Sequence, residues 1–296
     1  MTTYSTLDIT CALCSQVTPQ NVILSTNSYG WPDLDLRPAE MERSTLEFWV
    51  QRCSKCGYVS KDIEIKTLNA ELALGSDRLK RVAFDSTGND IQDRCLEAVI
   101  FYEYAEDFRN ASDCALYAAW MADDQKKTKS AELYRAKAAD LLIKYFDRSN
   151  DSYSGNTLSA VRLVDVLRRG GRWSECQKIA NELCEFDLEK KIRAVVGFGI
   201  WAAYNCDSGC YTVEDALAFE KFPRKHGSWY DDVLVLSYTK GPVFDTYDDL
   251  TYWREENRRS HTIRKGAQGY QVYFSDGAVT ANSNNAYRVK GDWIFE

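Results

Sequence analysis

The chain has 296 residues, 45% hydrophobic and 27% charged, with a net charge of −7 and a pI near 5.1. That length suggests about two domains with ample apolar material for a core, and five prolines with no low-complexity run argue against long disordered linkers. The acidic balance excludes the broad positive field on which non-specific nucleic-acid binding rests.

The N-terminal stretch MTTYSTLDITCALC has no basic region followed by an apolar one, so no export signal is expected. No run reaches the ~18–20 apolar residues of a membrane span, and the longest, AVVGFGIWAAY at 194–204, reads as a buried helix. Ten cysteines without an export signal point to reduced thiols, metal ligation and a cytoplasmic location. Four of them form two pairs, Cys11/Cys14 and Cys53/Cys56, separated by 38 residues. Each Cys-x2-Cys turn can give two sulfurs to one tetrahedral zinc, and four thiolates close the coordination sphere against catalytic water. Gly57, after the second pair, tolerates the positive φ such a turn often needs. A redox pair would require a helix start in a βαβ setting, which neither pair has, and unliganded cysteines are the remaining alternative.

The spacer exceeds the usual range of about 15–20 residues and must hold structure of its own. NVILSTNSYG (21–30) and STLEFWVQRC (44–53) read as strands, rich in β-branched and aromatic residues. Between them WPDLDLRPAE reads as an extended, half-buried segment with charge on one face. Its Asp33, Asp35 and Arg37 are candidates for a recognition edge that meets a partner, or for an internal salt-bridge network that orders the insertion.

From residue 69 to about 222 the periodicity becomes helical, predicting helices over 91–108, 110–125, 128–147, 157–169, 173–186, 189–205 and 212–222. NAS at 110–112, TVED at 212–215 and RRGGRW at 168–173 supply start and stop signals. Cys95, Cys114, Cys176 and Cys184 fall at apolar positions and are expected to pack as small hydrophobes. Trp31, Trp49, Trp120, Trp173 and Trp201 read as core rather than as a ligand platform. In LVDVLRRGGRWSECQKIANEL (163–183) a helix face, a Gly-x-aromatic turn and small residues follow in an order similar to the tetratricopeptide (TPR) repeat. A plain helical bundle is the alternative, because strict recurrence at about 34 residues is not visible.

Taken together, CALC…NSYGWPDLDLRP…CSKCGYVS followed by ALYAAWMADD and AELYRAKAADLL resembles bacterial proteins that join a CpXC-like zinc ribbon to TPR-type helices, over residues 9–205. The resemblance implies Cys11, Cys14, Cys53 and Cys56 as zinc ligands and a bacterial origin, and it supplies no substrate. The first pair lacks the proline that such knuckles often carry.

Beyond 226, DDVLVLSYTKGPVF (231–244) reads as a strand ending at a Gly-Pro break, the SDG at 275–277 as a hairpin, and YRVKGDWIF as a further strand. The basic stretch WREENRRSHTIRKG (253–266) contains Arg258, Arg259 and His261 but also two glutamates, and reads as a solvated charged turn. No nucleophile elbow, phosphate loop, dinucleotide fingerprint or His-Glu-x-x-His occurs, and adjacent acids such as Asp123-Asp124 point apart on a helix. The expectation is an α+β multidomain protein with a zinc ribbon at 1–68, a TPR-like array at 69–225 and a β-rich element at 226–296. Its expected role is non-catalytic capture of a protein or peptide, with structural zinc. The alternative is a nucleic-acid-associated regulatory module using the ribbon and the patch at 258–265.

Overall fold

β-Branched residues at both ends of the first cysteine pair favour extended backbone: β1 (Thr3–Thr10) pairs antiparallel with β2 (Val17–Ser25), and the pair Cys11/Cys14 sits in the connection. The computed structural model describes residues 2–149, 153 and 155–220, together with the backbone of strands at 238–244, 261–266, 269–275 and 293–295. Its two compact units are Met1–Phe219 and Glu220–Glu296, so the N-terminal strands and the helices share the first.

Short antiparallel ladders follow: β3 (Ser28–Tyr29) with β4 (Glu40–Met41), and β5 (Gln51–Arg52) with β6 (Val59–Ser60). The stretch 44–53, expected as a strand, is instead a 3-10 helix over Arg43–Phe48 that leads into β5. Thr45 redirects it locally: its hydroxyl donates to the carbonyl of Glu42 and accepts from the indole of Trp49.

Among the described residues nine helices follow: α1 (Ala70–Gly75), α2 (Asp77–Phe84), α3 (Asp90–Tyr104), α4 (Phe108–Asp124), α5 (Thr128–Arg148), α6 (Thr157–Arg169), α7 (Trp173–Cys184), α8 (Lys190–Tyr204) and α9 (Val213–Glu220). Short α1 and α2 lie ahead of the first predicted helix. Side chains cap several starts; Asn89, Asp107 and Asn156 accept from the backbone of α3, α4 and α6. Thr212 and Asp215 bond reciprocally at the start of α9, as the TVED signal predicts.

Small residues set the helix spacing. Ala111, Ala115, Ala118 and Ala122 on α4 are buried, as are Ala131, Ala138 and Ala139 on α5. The approach is close enough for Ser112 on α4 to donate to the carbonyl of Ala138 on α5 at 2.8 Å. Helix α6 packs on α5, α7 and α8. Gly199 makes the α6–α8 approach possible, since a Cβ there would lie 2.7 Å from Val164 Cγ1. Three-residue connections after α3, α4 and α6 make each an antiparallel hairpin with its successor.

Among its described residues the second unit holds a four-stranded antiparallel sheet of order β10-β8-β9-β7, from β7 (Tyr238–Phe244), β8 (His261–Gly266), β9 (Gly269–Ser275) and β10 (Trp293–Phe295). Strand β7 runs through Gly241-Pro242 with a register shift between Lys240 and Val243, rather than stopping there. His261 opens a strand, not a charged turn, because residues 261–266 alternate across a ladder with β9. Arg258, Arg259 and the SDG hairpin signal lie outside the described residues.

Candidate metal centre and a buried ion-pair network

The two cysteine pairs fold into the same turn. Cys11 N–H donates to Gln16 O and Ser15 N–H to Cys11 O; Cys53 N–H donates to Tyr58 O and Gly57 N–H to Cys53 O. Ser15 (φ 58°) and Gly57 (φ 79°) hold the same left-handed position, so the first turn uses a serine where the second uses glycine. Each turn closes an antiparallel pair, β1–β2 and β5–β6. A bond from Ala12 N–H to Ile63 O joins the two.

The four Sγ atoms lie within 4.8 Å of one another. Cys11–Cys56 and Cys14–Cys53 are 3.8 and 3.6 Å apart, too far for a disulfide. Sulfurs at about 2.3 Å from a tetrahedral ion lie about 3.8 Å from each other. The donor set therefore fits one zinc-like ion with all positions filled by thiolate, and it is the only such cluster among the described residues. Burial pushes the thiols of Cys11 and Cys56 up, the latter to about 12. At Cys53 burial is outweighed by the backbone N–H groups of Cys56 and Lys55, which bring it down to about 7. Bonds around Tyr58 fix the second turn: its hydroxyl donates to Ile65 O, and its ring meets Phe101 of α3 edge-on.

Asp33, Asp35 and Arg37 come together, but in the interior: they are 3%, 0% and 6% exposed, which removes them as a surface edge. The segment is a tight turn rather than extended. Asp33 N–H donates to Arg37 O, Leu36 N–H to Asp33 O, and Leu36 has φ 66°. That left-handed residue breaks the period-two alternation, so Leu34 is buried with the charges while Leu36 is exposed.

Asp35 stands at the apex and accepts at one oxygen from Trp120 Nε1 (2.9 Å, α4), Arg135 Nη2 (3.1 Å, α5) and Arg169 Nη1 (2.8 Å, α6). Burial alone would raise its pKa; the guanidiniums of Arg169 and Arg135 and the Trp120 indole hold it down, to about 2. Asp123 on α4 receives both arginines a second time, at 2.5 Å from Arg135 and 2.7 Å from Arg169. Arg37 pairs with Asp124, and Asp33 with Arg43. Neighbouring Asp165 and Arg168 form a further pair, and Arg168 ties down the carbonyls of Asp207 and Gly209. The loop so fixed holds the other side of the turn: Leu34 N–H donates to Tyr211 O, Val213 N–H to Pro32 O, and Cys210 Sγ to Asp33 Oδ2.

Of this network, sequence reasoning misses Arg135, Asp165, Arg168 and Arg169. A signal exists at Arg135, which falls on the buried stripe Ala131–Arg135–Ala138–Leu142 where a cation needs a partner. Cys95, Cys114 and Cys176 are buried, Cys184 partly so. Among the described residues no helix is long and apolar enough to cross a membrane. No family model, curated protein or solved structure matches this chain.

Proposed function

We propose that the protein is a non-catalytic adaptor of bacterial, cytoplasmic type. In this reading a zinc ribbon is built on Cys11, Cys14, Cys53 and Cys56, and TPR-like helical hairpins capture a protein or peptide. The observation that carries the reading is the seating of Asp35: helices α4, α5 and α6 each supply a donor to the carboxylate of a turn that belongs to none of them. The hairpins thus have the chemistry to hold an acidic, non-helical segment of polypeptide. Alternate helices α6 and α8 lie side by side, a contact of the kind that stacked hairpins make. Ten free thiols support a reducing compartment.

Metal content tests the ribbon. Protein purified without added metal is expected to carry about one zinc per chain, as four thiolates bind one ion. Cys11→Ser and Cys53→Ser should each lose it together with N-terminal order; a folded, metal-free wild type would sink the ribbon. Binding to arrayed peptides and to single- and double-stranded nucleic acid, at low and high salt, tests the role. The adaptor reading expects salt-tolerant selection of peptides. Tight nucleic-acid binding that falls steeply with salt would favour the regulatory alternative.

A further inference from the structure

The turn at 33–37 is bound by the helices much as a separate ligand would be. Its apex carboxylate is inserted between three helices, its flanks are hydrogen-bonded to the 211–213 backbone, and both its ends run back to the cysteine turns. Leu36 holds a left-handed conformation that is unfavourable for a residue with a Cβ, so the surroundings hold the turn in place. Asp123 also pairs with both Arg135 and Arg169, so the receiving arginines keep a partner when Asp35 is absent. Without Asp35, two guanidiniums would share the Asp123 carboxylate, a net positive site that calls for an anion. Arg135 and Arg169 also keep buried Nε–H groups that have no partner among the described residues.

We propose that residues 31–37 are an internal ligand occluding an acceptor site for an acidic segment of another protein, and that the cysteine cluster governs the occlusion by holding both ends of the insertion. This rests on the adaptor reading and names its site and its control. A tethered occupant acts at an effective concentration of about millimolar, so a free partner of ordinary affinity is excluded while the tether is taut. Loss of the metal slackens both anchors at once and lets the partner compete.

The test uses the full-length protein, metal-loaded and after chelation under reducing conditions. Amide hydrogen exchange is read over 31–37, and fluorescence anisotropy follows a labelled peptide YGWPDLDLRPAEM, identical to residues 29–41. Chelation is expected to speed exchange of Leu34 and Leu36 about ten-fold or more while α4–α6 stay protected. The peptide should bind only the stripped protein, and its Asp35→Asn counterpart about ten-fold more weakly or worse. Arg169→Gln should abolish the binding, with Arg169→Lys as the control for folding. The proposal is overturned if 31–37 stays protected after chelation, if it is released and no peptide binds, or if α4–α6 lose protection with it. Peptide binding by loaded protein with 31–37 still protected would overturn the occlusion and leave the adaptor reading standing; no selection on the peptide array in either state would remove both.

Discussion

Asp35 keeps its charge at a position with no solvent exposure, and acid should reveal what that charge contributes. Its folded pKa, near 2, lies below the ordinary carboxylate value, so its contribution is complete above about pH 4 and is lost as pH falls toward 2. That difference is worth about 2 kcal/mol. Asp165 works in the opposite sense: burial raises its pKa despite Arg168, so it favours the folded state at low pH and loses that effect as pH rises through its folded pKa. Asp35→Asn should therefore destabilise at neutral pH by about 3 kcal/mol, the low end for breaking a buried pair because Asp123 still serves both arginines. It should also flatten the acid limb, which urea midpoints from pH 7 to 2 would show; an unchanged limb would mean Asp35 is not ionised in the fold. The alternation of Asp33, Asp35 and Arg37 marks this segment in the sequence. The direction it faces is hidden, because one left-handed backbone at Leu36 inverts the pattern and nothing in a leucine announces it.

Helix ends show the same limit at the next scale. Helices α3, α4, α6 and α8 finish alike, with a left-handed residue at Glu106, Lys126, Gly171 and Cys206. The next N–H bonds back to the last turn: Asp107 to Tyr102, Lys127 to Ala122, Arg172 to Leu167, Asp207 to Ala202. Only Gly171 is visible as a stop signal, and α6 is read to the residue; without one, the sequence runs α3 on to 108 rather than 104, while α4 and α8 overrun by a single residue. The helices themselves were legible because their buried stripes are long and periodic; α1 and α2, of six and eight residues, are too short for that. Lys126 is exposed and makes no ion pair among the described residues. Lys126→Gly should raise stability by about 0.5–1 kcal/mol, the relief of left-handed strain exceeding the added freedom of the unfolded chain. A lower thermal midpoint would contradict that account.

For the molecule as a whole, the division at Phe219/Glu220 has a direct consequence. Every member of the cysteine cluster and of the Asp35 network lies before it. A chain truncated after Glu220 should keep its metal stoichiometry and its helical circular dichroism; loss of either would show that the sheet completes the first unit. The cysteine spacing makes the candidate metal centre legible from sequence alone, as the four thiols that could hold an ion fall in two local turns. The ion-pair network was legible only in part: Asp33, Asp35 and Arg37 suggest an internal salt-bridge network, but their helical partners do not show, since they lie up to 134 residues apart. That separation also bears on how the protein is made. At ribosomal rates of about 5–20 residues per second, the turn bearing Asp35 leaves the exit tunnel on the order of ten seconds before Arg169 exists to receive it. During that delay the nascent chain displays Leu34 and an acid whose partners arrive in turn, Trp120 first, then Arg135 and Arg169 last. Cys56 emerges early in the interval, so metal capture can fold the insertion into a closed loop before its final partners arrive. The cysteine turns would then serve biosynthesis as much as the finished protein, keeping a late-docking segment out of misassembly until α6 has been translated.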